Sequence, residues 1–161
     1  YSFSKVYRLT GHRVGLMVAS KSFIKQVEKF LDTTTICPNR LAQKAAYFGL
    51  LNLQEFMTQE KLKIKKLKNT FEKELSTIPN WSLLGIGGYF AYLGYNSKLD
   101  SVSMAKKLLV AQNILTIPGD MFFPKSKNLF VKEKRSIRIA FANSTNKEII
   151  DLFKRLKNFS L

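Results

Sequence analysis

The sequence contains very few of the residues that build disulfides and metal sites. It has one cysteine, Cys37, and one histidine, His12, in 161 residues. A disulfide within the chain is therefore impossible, and one Cys with one His cannot form a Cys/His metal cluster. We interpret both residues as structural. A lone cysteine also favours a reducing compartment, so we expect a cytoplasmic protein. Because the Cys/His ligands are lacking, we expect no bound metal.

Long apolar runs are absent as well. Roughly 20 consecutive apolar residues are needed to span a bilayer, and the nearest candidate, residues 81–93, is shorter and contains glycine. Hydrophobic residues make up 45% of the chain and charged residues 24%, as in soluble globular proteins. Because the chain begins with Tyr1 and has no signal-peptide pattern, we expect it to start inside a longer protein.

Acidic residues are scarce: 11 Asp and Glu face 27 Lys and Arg, giving a formal charge of +16. The densest basic patch comprises Lys61, Lys63, Lys65, Lys66 and Lys68. This patch lies within a predicted helix. It can be a solvated helix face, a nucleic-acid site or a surface that attracts anionic ligands, and we favour the solvated helix face.

Hydrophobic spacing and capping residues predict a mixed α/β order. A loop is expected over 1–11, a doubly buried strand over 13–19, and extended chain over 33–37. The predicted helices cover 22–30 with a Ser22 cap, 39–75 with an Asn39 cap and a break near Asn52, 101–112 capped by Asp100 or Ser101, and 145–159 capped within 143–145. Further strands are predicted over 81–93 and 136–142, with a turn at 118–120. In the last helix, Ile149, Ile150, Phe153 and Leu156 are expected to face inward.

Lys5 is the first candidate for chemistry. It lies beside the hydroxyls of Ser2 and Ser4, and Arg13 follows eight residues later. A lysine in this setting can act as a nucleophile, and an arginine can bind a phosphate through its planar guanidinium. A lysine taken alone is far more often a solvated surface residue, so the wider pattern has to decide.

That pattern is Ser2-Phe3-Ser4-Lys5-x-x-x-Leu9-x-Gly11-x-Arg13-Val14-Gly15. It closely resembles the signature around the cofactor lysine of class I/II aminotransferases, which are fold-type I enzymes. Arg8 departs from the signature, since the family usually has a small residue there, and its bulk and charge would change the wall of the phosphate site.

Four later segments resemble further markers of the same family, in the family's order. They are Pro38–Ala46, where a loop enters a helix; Gly87–Leu93, a small-domain strand; Pro118–Phe122, a Pro-Gly-x-x-Phe turn; and Ile137–Ala142, the strand that presents a substrate-binding arginine. The ordered set is more specific than the lysine signature alone.

The resemblance implies an α/β fold, the C-terminal part of a fold-type I pyridoxal-phosphate-dependent transferase. Residues 1–75 would form the end of the large cofactor-binding domain with a long interdomain helix. Residues 76–161 would form the small α+β domain. The other parts of the cofactor pocket lie upstream in the family, so we expect the isolated chain to bind cofactor poorly, to be inactive, and to expose apolar surface and strand edges.

The resemblance also implies the roles of individual residues. Lys5 would carry pyridoxal 5'-phosphate as a Schiff base and transfer the substrate's α-proton, while Ser2 and Arg13 would bind the phosphate. Arg138 would bind the substrate α-carboxylate, with Arg135 as the less favoured alternative.

The implied activity is aminotransferase chemistry between an amino acid and a 2-oxo acid, in a homodimer of amino-acid metabolism that binds neither nucleic acid nor membrane. One alternative keeps the same lysine in another fold-type I enzyme: a decarboxylase, a C–S lyase or a cyclising synthase. An alternative of a different class is a basic nucleic-acid-binding module, which the +16 charge supports and the core-like spacing of the aromatic residues disfavours.

Overall fold

The computed structural model describes residues 1–122 and 135–160. The chain divides into two compact units, Tyr1–Lys61 and Leu62–Leu161. This division falls within one long helix, whereas the sequence predicts a domain boundary after residue 75. The predicted boundary concerns the domains of a larger protein and stays a prediction.

The first unit is helical. It contains α1 (Phe3–Val6), α2 (Lys21–Thr34), α3 (Arg40–Asn52) and the beginning of α4 (Gln54–Leu75). Asn39 caps α3 as predicted, because its side chain accepts a hydrogen bond from the Ala42 amide at 2.8 Å and so satisfies a free donor of the first turn. The predicted break near Asn52 separates α3 from α4.

Three local predictions for this unit are wrong. Residues 1–11 are not all loop, since they include α1. Residues 13–19 form no strand, because only Gly15 makes a bridge, to Ser2, and Val18 is 89% exposed. The helix α2 begins after a Ser20 cap rather than at Ser22 and continues to Thr34, so the first two residues of the predicted extended segment are helical.

A small core holds the first unit together. Its buried members are Phe3, Tyr7, Val14, Ala42 and Ala46. Many large apolar side chains of the unit are exposed, as expected from the sequence. They are Leu16, Met17, Val18, Phe23, Phe30, Leu31, Ile36, Leu41, Tyr47, Phe48, Leu50 and Leu51.

The described part of the second unit is built on an antiparallel four-stranded sheet with the order β1-β2-β4-β3. The strands are β1 (Trp81–Gly87), β2 (Phe90–Tyr95), β3 (Ile117–Pro118) and β4 (Ser136–Ala140). The predicted single strand over 81–93 is therefore a hairpin. Its turn places Gly88 at a φ of 55°, a left-handed conformation that costs glycine little.

The described part of the second unit also contains the helices α5 (Ser101–Gln112) and α6 (Asn146–Lys157). Asp100 caps α5 through the Ser103 amide at 2.9 Å, which selects one of the two predicted caps. Thr145 caps α6 in a reciprocal capping box with Glu148. The prediction that Ile150 faces inward is wrong, since it is 47% exposed.

One continuous core fills this unit between the sheet and the helices. Its most deeply buried large side chains are Phe71, Leu93, Met104, Leu108, Ile137, Phe141, Ile149, Phe153 and Leu156. The rings of Phe71 and Phe153 meet edge to face at 4.8 Å, a favoured aromatic arrangement.

Candidate functional site

Lys5 lies on the short helix α1, and its side chain is exposed. The helix is capped by Ser2, whose hydroxyl accepts a hydrogen bond from the Ser4 amide at 3.3 Å. Phe3 and Tyr7 are buried and stack with ring centroids 5.7 Å apart. The neighbours of Lys5 in sequence therefore anchor the helix while Lys5 itself remains accessible.

A short antiparallel pairing connects the start of the chain to the segment after Gly11. The amide of Leu16 donates to the Tyr1 carbonyl at 2.8 Å, and Ser2 forms a bridge with Gly15. A Cβ on Gly15 would lie 2.9 Å from the Tyr1 carbonyl oxygen, so only glycine permits this close approach. The pairing brings the segments that carry Ser2 and Arg13 side by side.

Arg13 has a φ of 51°, a left-handed conformation that is uncommon for a residue with a side chain. Its guanidinium donates to the Thr10 carbonyl at 3.1 Å. This one bond leaves most of the five guanidinium donors for an anion. The structure thus places Ser2, Lys5 and Arg13, three of the four predicted site residues, in one small part of the first unit.

Arg8, the departure from the signature, packs against α4. Its guanidinium lies 2.8 Å from the Glu60 carboxylate and its Cζ lies 5.3 Å from the centre of the Phe56 ring. Its φ is 57°, a region that favours glycine and asparagine. The structure therefore gives a backbone reason for small residues at this position and shows where the larger side chain is accommodated.

Arg138, the fourth predicted site residue, belongs to the second unit and lies on β4. Its neighbours Ile137 and Ile139 are buried in the core, so the alternation of the strand places Arg138 on the opposite face, where it is half-buried. Its cross-strand partners are Tyr92 on β2 and Ile117 on β3. The alternation of Ile137, Arg138 and Ile139 in the sequence predicts this orientation, with both isoleucines facing away from Arg138, and the structure confirms it.

Two phenyl rings pack against the Arg138 guanidinium. The Cζ atom lies 4.3 Å from the centre of the Phe90 ring and 4.2 Å from that of Phe122. Cation–π contacts of this kind contribute about 0.5–2 kcal/mol each. Within residues 1–122 and 135–160, Arg138 has no carboxylate partner.

Tyr92 extends this aromatic surface. Its ring meets Phe122 edge to face at 5.8 Å. Burial raises the pKa of the Tyr92 hydroxyl above its usual value, and the positive charge of Arg138 opposes the rise. Phe90 and Phe122 lie in segments that resemble family markers, but the sequence assigns neither of them to a site; only the contact with Arg138 identifies them.

Arg135, the alternative to Arg138, lies immediately before β4. It lines a shallow hollow of about 390 Å³ together with Ser82, Asn96 and other residues around β1. Its backbone carbonyl accepts a hydrogen bond from the Tyr95 amide at 3.2 Å. Arg135 therefore has surroundings different from those of Arg138.

Among the described residues, no group of three or more His, Cys, Asp or Glu lies close enough together to hold a metal ion. Every described helix is too short or too polar to cross a lipid bilayer. The lysine-rich patch lies on α4, and its members Lys63, Lys65 and Lys66 are exposed as predicted.

A sequence profile of the family described as aminotransferase class I and II matches residues 1–156. The chain belongs to this family. Its overall fold is that of the C-terminal part of a fold-type I transferase, and members of the family generally depend on pyridoxal phosphate.

Curated relatives agree with the family assignment. The chain is 27% identical to an aspartate aminotransferase of Thermotoga maritima, with 98% of this chain and 38% of the relative covered. It is 28% identical to an aspartate aminotransferase of Sulfurisphaera tokodaii, over 98% of this chain and 39% of the relative. The chain thus spans about two-fifths of the length of these aminotransferases.

Solved structures show the same relationship. An aminotransferase from Staphylococcus aureus superimposes with a TM-score of 0.83 at 25% identity, covering 98% of this chain and 40% of that one. The multiple substrate aminotransferase from Thermococcus profundus gives a TM-score of 0.80 at 21% identity, covering 98% and 38%. At 21% identity, the similarity to the Thermococcus profundus enzyme shows a shared fold and nothing about function.

Proposed function

We propose that this chain is part of a pyridoxal-phosphate-dependent aminotransferase that moves an amino group between an amino acid and a 2-oxo acid. The observation that carries the proposal is the family match over residues 1–156, with Lys5 at the signature position of the cofactor lysine. The relatives' names support amino-transfer over the other reactions of fold-type I enzymes.

The residues around Lys5 fit this cofactor by their chemistry. A phosphorylated aldehyde needs an amine for its carbonyl carbon and hydrogen-bond donors for its phosphate. Lys5 supplies an exposed amine, and Ser2 and Arg13 supply a hydroxyl and a guanidinium from two paired backbone segments. Pyridoxal phosphate, when bound, supplies the electron sink that stabilises negative charge at the substrate α-carbon.

The chain's own residues would then have three tasks. The Lys5 amine attaches the cofactor and, once released by the substrate, moves the proton at the α-carbon. Ser2 and Arg13 hold the phosphate and so keep the reacting atoms in place. Arg138 binds the substrate α-carboxylate in the plane of its guanidinium, which suits a bidentate contact.

Site-selective labelling tests the cofactor assignment. The 161-residue chain is incubated with pyridoxal phosphate, reduced with borohydride and analysed by peptide mass spectrometry. We expect Lys5 to be labelled in preference to Lys21, another exposed lysine at the start of α2, and Arg13→Ala to lower labelling at Lys5 alone. Equal labelling of the two lysines would contradict the assignment. Total labelling should stay low, because the chain spans about two-fifths of its relatives.

Activity belongs to a longer protein that contains this chain. There, Lys5→Ala is expected to abolish transamination, and Arg138→Lys to raise the KM for amino acids more than it lowers kcat, because an ammonium cannot replace the bidentate contact. Full transamination by the Lys5→Ala protein would overturn the proposal.

A homodimer in the cytoplasm, with a role in amino-acid metabolism, is part of the same proposal. The exposed apolar side chains of the first unit support burial against further protein. Sedimentation of the longer protein measures the oligomeric state. The proposed partners include neither nucleic acid nor membranes. A change in the gel mobility of labelled DNA at physiological salt would contradict the exclusion of nucleic acid.

A further inference from the structure

Within residues 1–122 and 135–160, the Arg138 guanidinium is held by aromatic side chains and has no acidic partner. The Phe90 and Phe122 ring centres lie 4.3 Å and 4.2 Å from its Cζ atom. Tyr92, directly across the strand pair, has its ring against Phe122. A planar cation packed against π faces keeps its hydrogen-bond donors in the plane of the guanidinium, where an incoming anion can reach them.

The two rings come from different elements, and each is placed independently. Phe90 begins β2 and pairs with Ala140 of β4, two residues beyond Arg138, so it is a diagonal neighbour on the same face. Phe122 ends the 3₁₀ turn Gly119–Phe122. That turn packs closely on β4, because a Cβ on Gly119 would lie 2.7 Å from the Ser136 carbonyl oxygen.

We propose that Phe90 and Phe122 are positioning residues that fix the Arg138 guanidinium for carboxylate binding. We call them the aromatic pair. The carboxylate part of this inference rests on the proposed function, in which Arg138 binds the substrate. An arginine restrained by packing loses less side-chain entropy when an anion binds than a freely rotating one does. An acidic partner would restrain the side chain too, but it would compete with the substrate for the same donors.

Nuclear magnetic resonance of the 15N-labelled 161-residue chain tests the positioning. The Nε–Hε signal of Arg138 is identified by its absence from the Arg138→Lys spectrum. We expect this signal upfield of that of the exposed Arg40, because protons above aromatic faces are shielded. Phe90→Leu and Phe122→Leu should each move it toward the Arg40 position and increase the side-chain mobility measured by relaxation.

Two matched variants make the result decisive. Phe122→Tyr keeps a ring and should keep the shift, and Phe30→Leu removes a 67% exposed ring of the first unit and should change nothing at Arg138. Fluorescence of the buried Trp81 confirms that each variant is folded. An Arg138 signal unaffected in both leucine variants would overturn the proposal, and so would loss of the shift in folded Phe122→Tyr.

Acetate then serves as the carboxylate probe. We expect it to shift the Arg138 signal, with an affinity about threefold to tenfold weaker in Phe122→Leu than in the unaltered chain or Phe122→Tyr. Equal affinity in the folded leucine variants would overturn the positioning role. A ring-dependent Arg138 signal with no response to acetate would uphold the positioning and count against the substrate role of Arg138 in the proposed function.

Discussion

Arg8 and Glu60 form an ion pair, with Nη2 of the arginine 2.8 Å from Oε2 of the glutamate. The pair connects the residues that follow Lys5 to helix α4. It forms at Arg8, where the sequence departs from the aminotransferase signature, so this protein holds its lysine segment with a contact that a small residue cannot make.

Substitutions at Arg8 should separate backbone strain from the ion pair. Arg8→Ala removes the ion pair but keeps a Cβ on a residue with a φ of 57°. Arg8→Gly removes the ion pair and the Cβ, and with the Cβ the backbone strain. The left-handed region costs a residue with a Cβ roughly 1–2 kcal/mol of stability. An ion pair at the surface contributes about 0.2–1 kcal/mol. We expect Arg8→Gly to be more stable than Arg8→Ala by about 1 kcal/mol in urea unfolding. Equal stability of the two variants would show that the strain is relieved elsewhere.

Gly119→Ala should destabilise the second unit. The added Cβ would lie 1.9 Å from the Ser136 hydroxyl oxygen and 2.7 Å from its carbonyl oxygen, and crowding of this kind costs about 1–3 kcal/mol. Thermal unfolding measures the loss. Gly87→Ala is the matched control, because nothing lies within 4 Å of its added Cβ. Adding Ser136→Ala to Gly119→Ala should restore only part of the loss, since the backbone oxygen remains.

Thr145→Ala should weaken helix α6. Thr145 accepts a hydrogen bond from the Glu148 amide at 3.3 Å, and its own amide donates to the Glu148 carboxylate at 2.7 Å. Loss of a threonine cap costs about 1 kcal/mol, which chemical denaturation can measure. Thr58→Ala, at an exposed position near the start of helix α4, should change stability by less than about 0.5 kcal/mol. A similar effect of the two substitutions would contradict the capping role.

The same cap should respond to acid. Hydrogen bonds from the backbone and hydroxyl of Thr145 hold the pKa of Glu148 below its ordinary 4.5. A lowered pKa means that the stabilisation is present above pH 4.5 and is lost as the pH falls through the lower, folded-state value. The stability difference between the unaltered chain and Glu148→Gln should therefore shrink on acidification. A stability difference between the two proteins that stays constant from pH 7 to pH 3 would contradict this role of the Glu148 carboxylate.

Tyr95 should make the fold sensitive to alkali. Burial, and then the negative charge of Asp100, raises the pKa of Tyr95 from 10.0 to about 12, and its hydroxyl donates to the Leu99 carbonyl at 3.1 Å. The raised pKa gives stability that is complete below pH 10 and is lost as the pH rises through 12. Tyr95→Phe should cost about 1 kcal/mol at pH 7 and lose less stability than the unaltered chain between pH 9 and pH 11.5. Parallel pH profiles would contradict the prediction.

Local signals in the sequence predicted the starts of α3, α5 and α6 but missed those of α1 and α2. Asn39, Asp100 and Thr145 each cap the helix that follows them, because a side-chain oxygen one residue before a helix satisfies a nearby amide wherever the helix lies. The alternation around Arg138 also predicted its face of β4, since two buried isoleucines flank it.

Predictions that depend on distant partners were less reliable. Residues 13–19 have the composition of a buried strand, but a strand needs a neighbouring strand for its hydrogen bonds. Within the described residues this segment pairs only with residues 1–3, through the bridge between Ser2 and Gly15 and the backbone hydrogen bonds of Val14 and Leu16. The sequence predicts a strand with bends over 81–93 where the structure has a hairpin over 81–95, because the turn is marked only by Gly88 and Tyr89 within a continuous apolar run.

The sequence by itself determined the family, the cofactor-lysine candidate and the arginine on the polar face of its strand, because these depend on residue identity and short spacing. Tertiary structure decided that Lys5 lies on a helix anchored by Phe3 and Tyr7, and that Phe90 and Phe122 meet at Arg138. The position of Lys5 depends on the burial of Phe3 and Tyr7 against α3. The meeting of the two rings at Arg138 depends on the register of β2 and β4 and on the close packing of the Gly119 turn. No local pattern encodes such contacts, since residues far apart in the chain supply them.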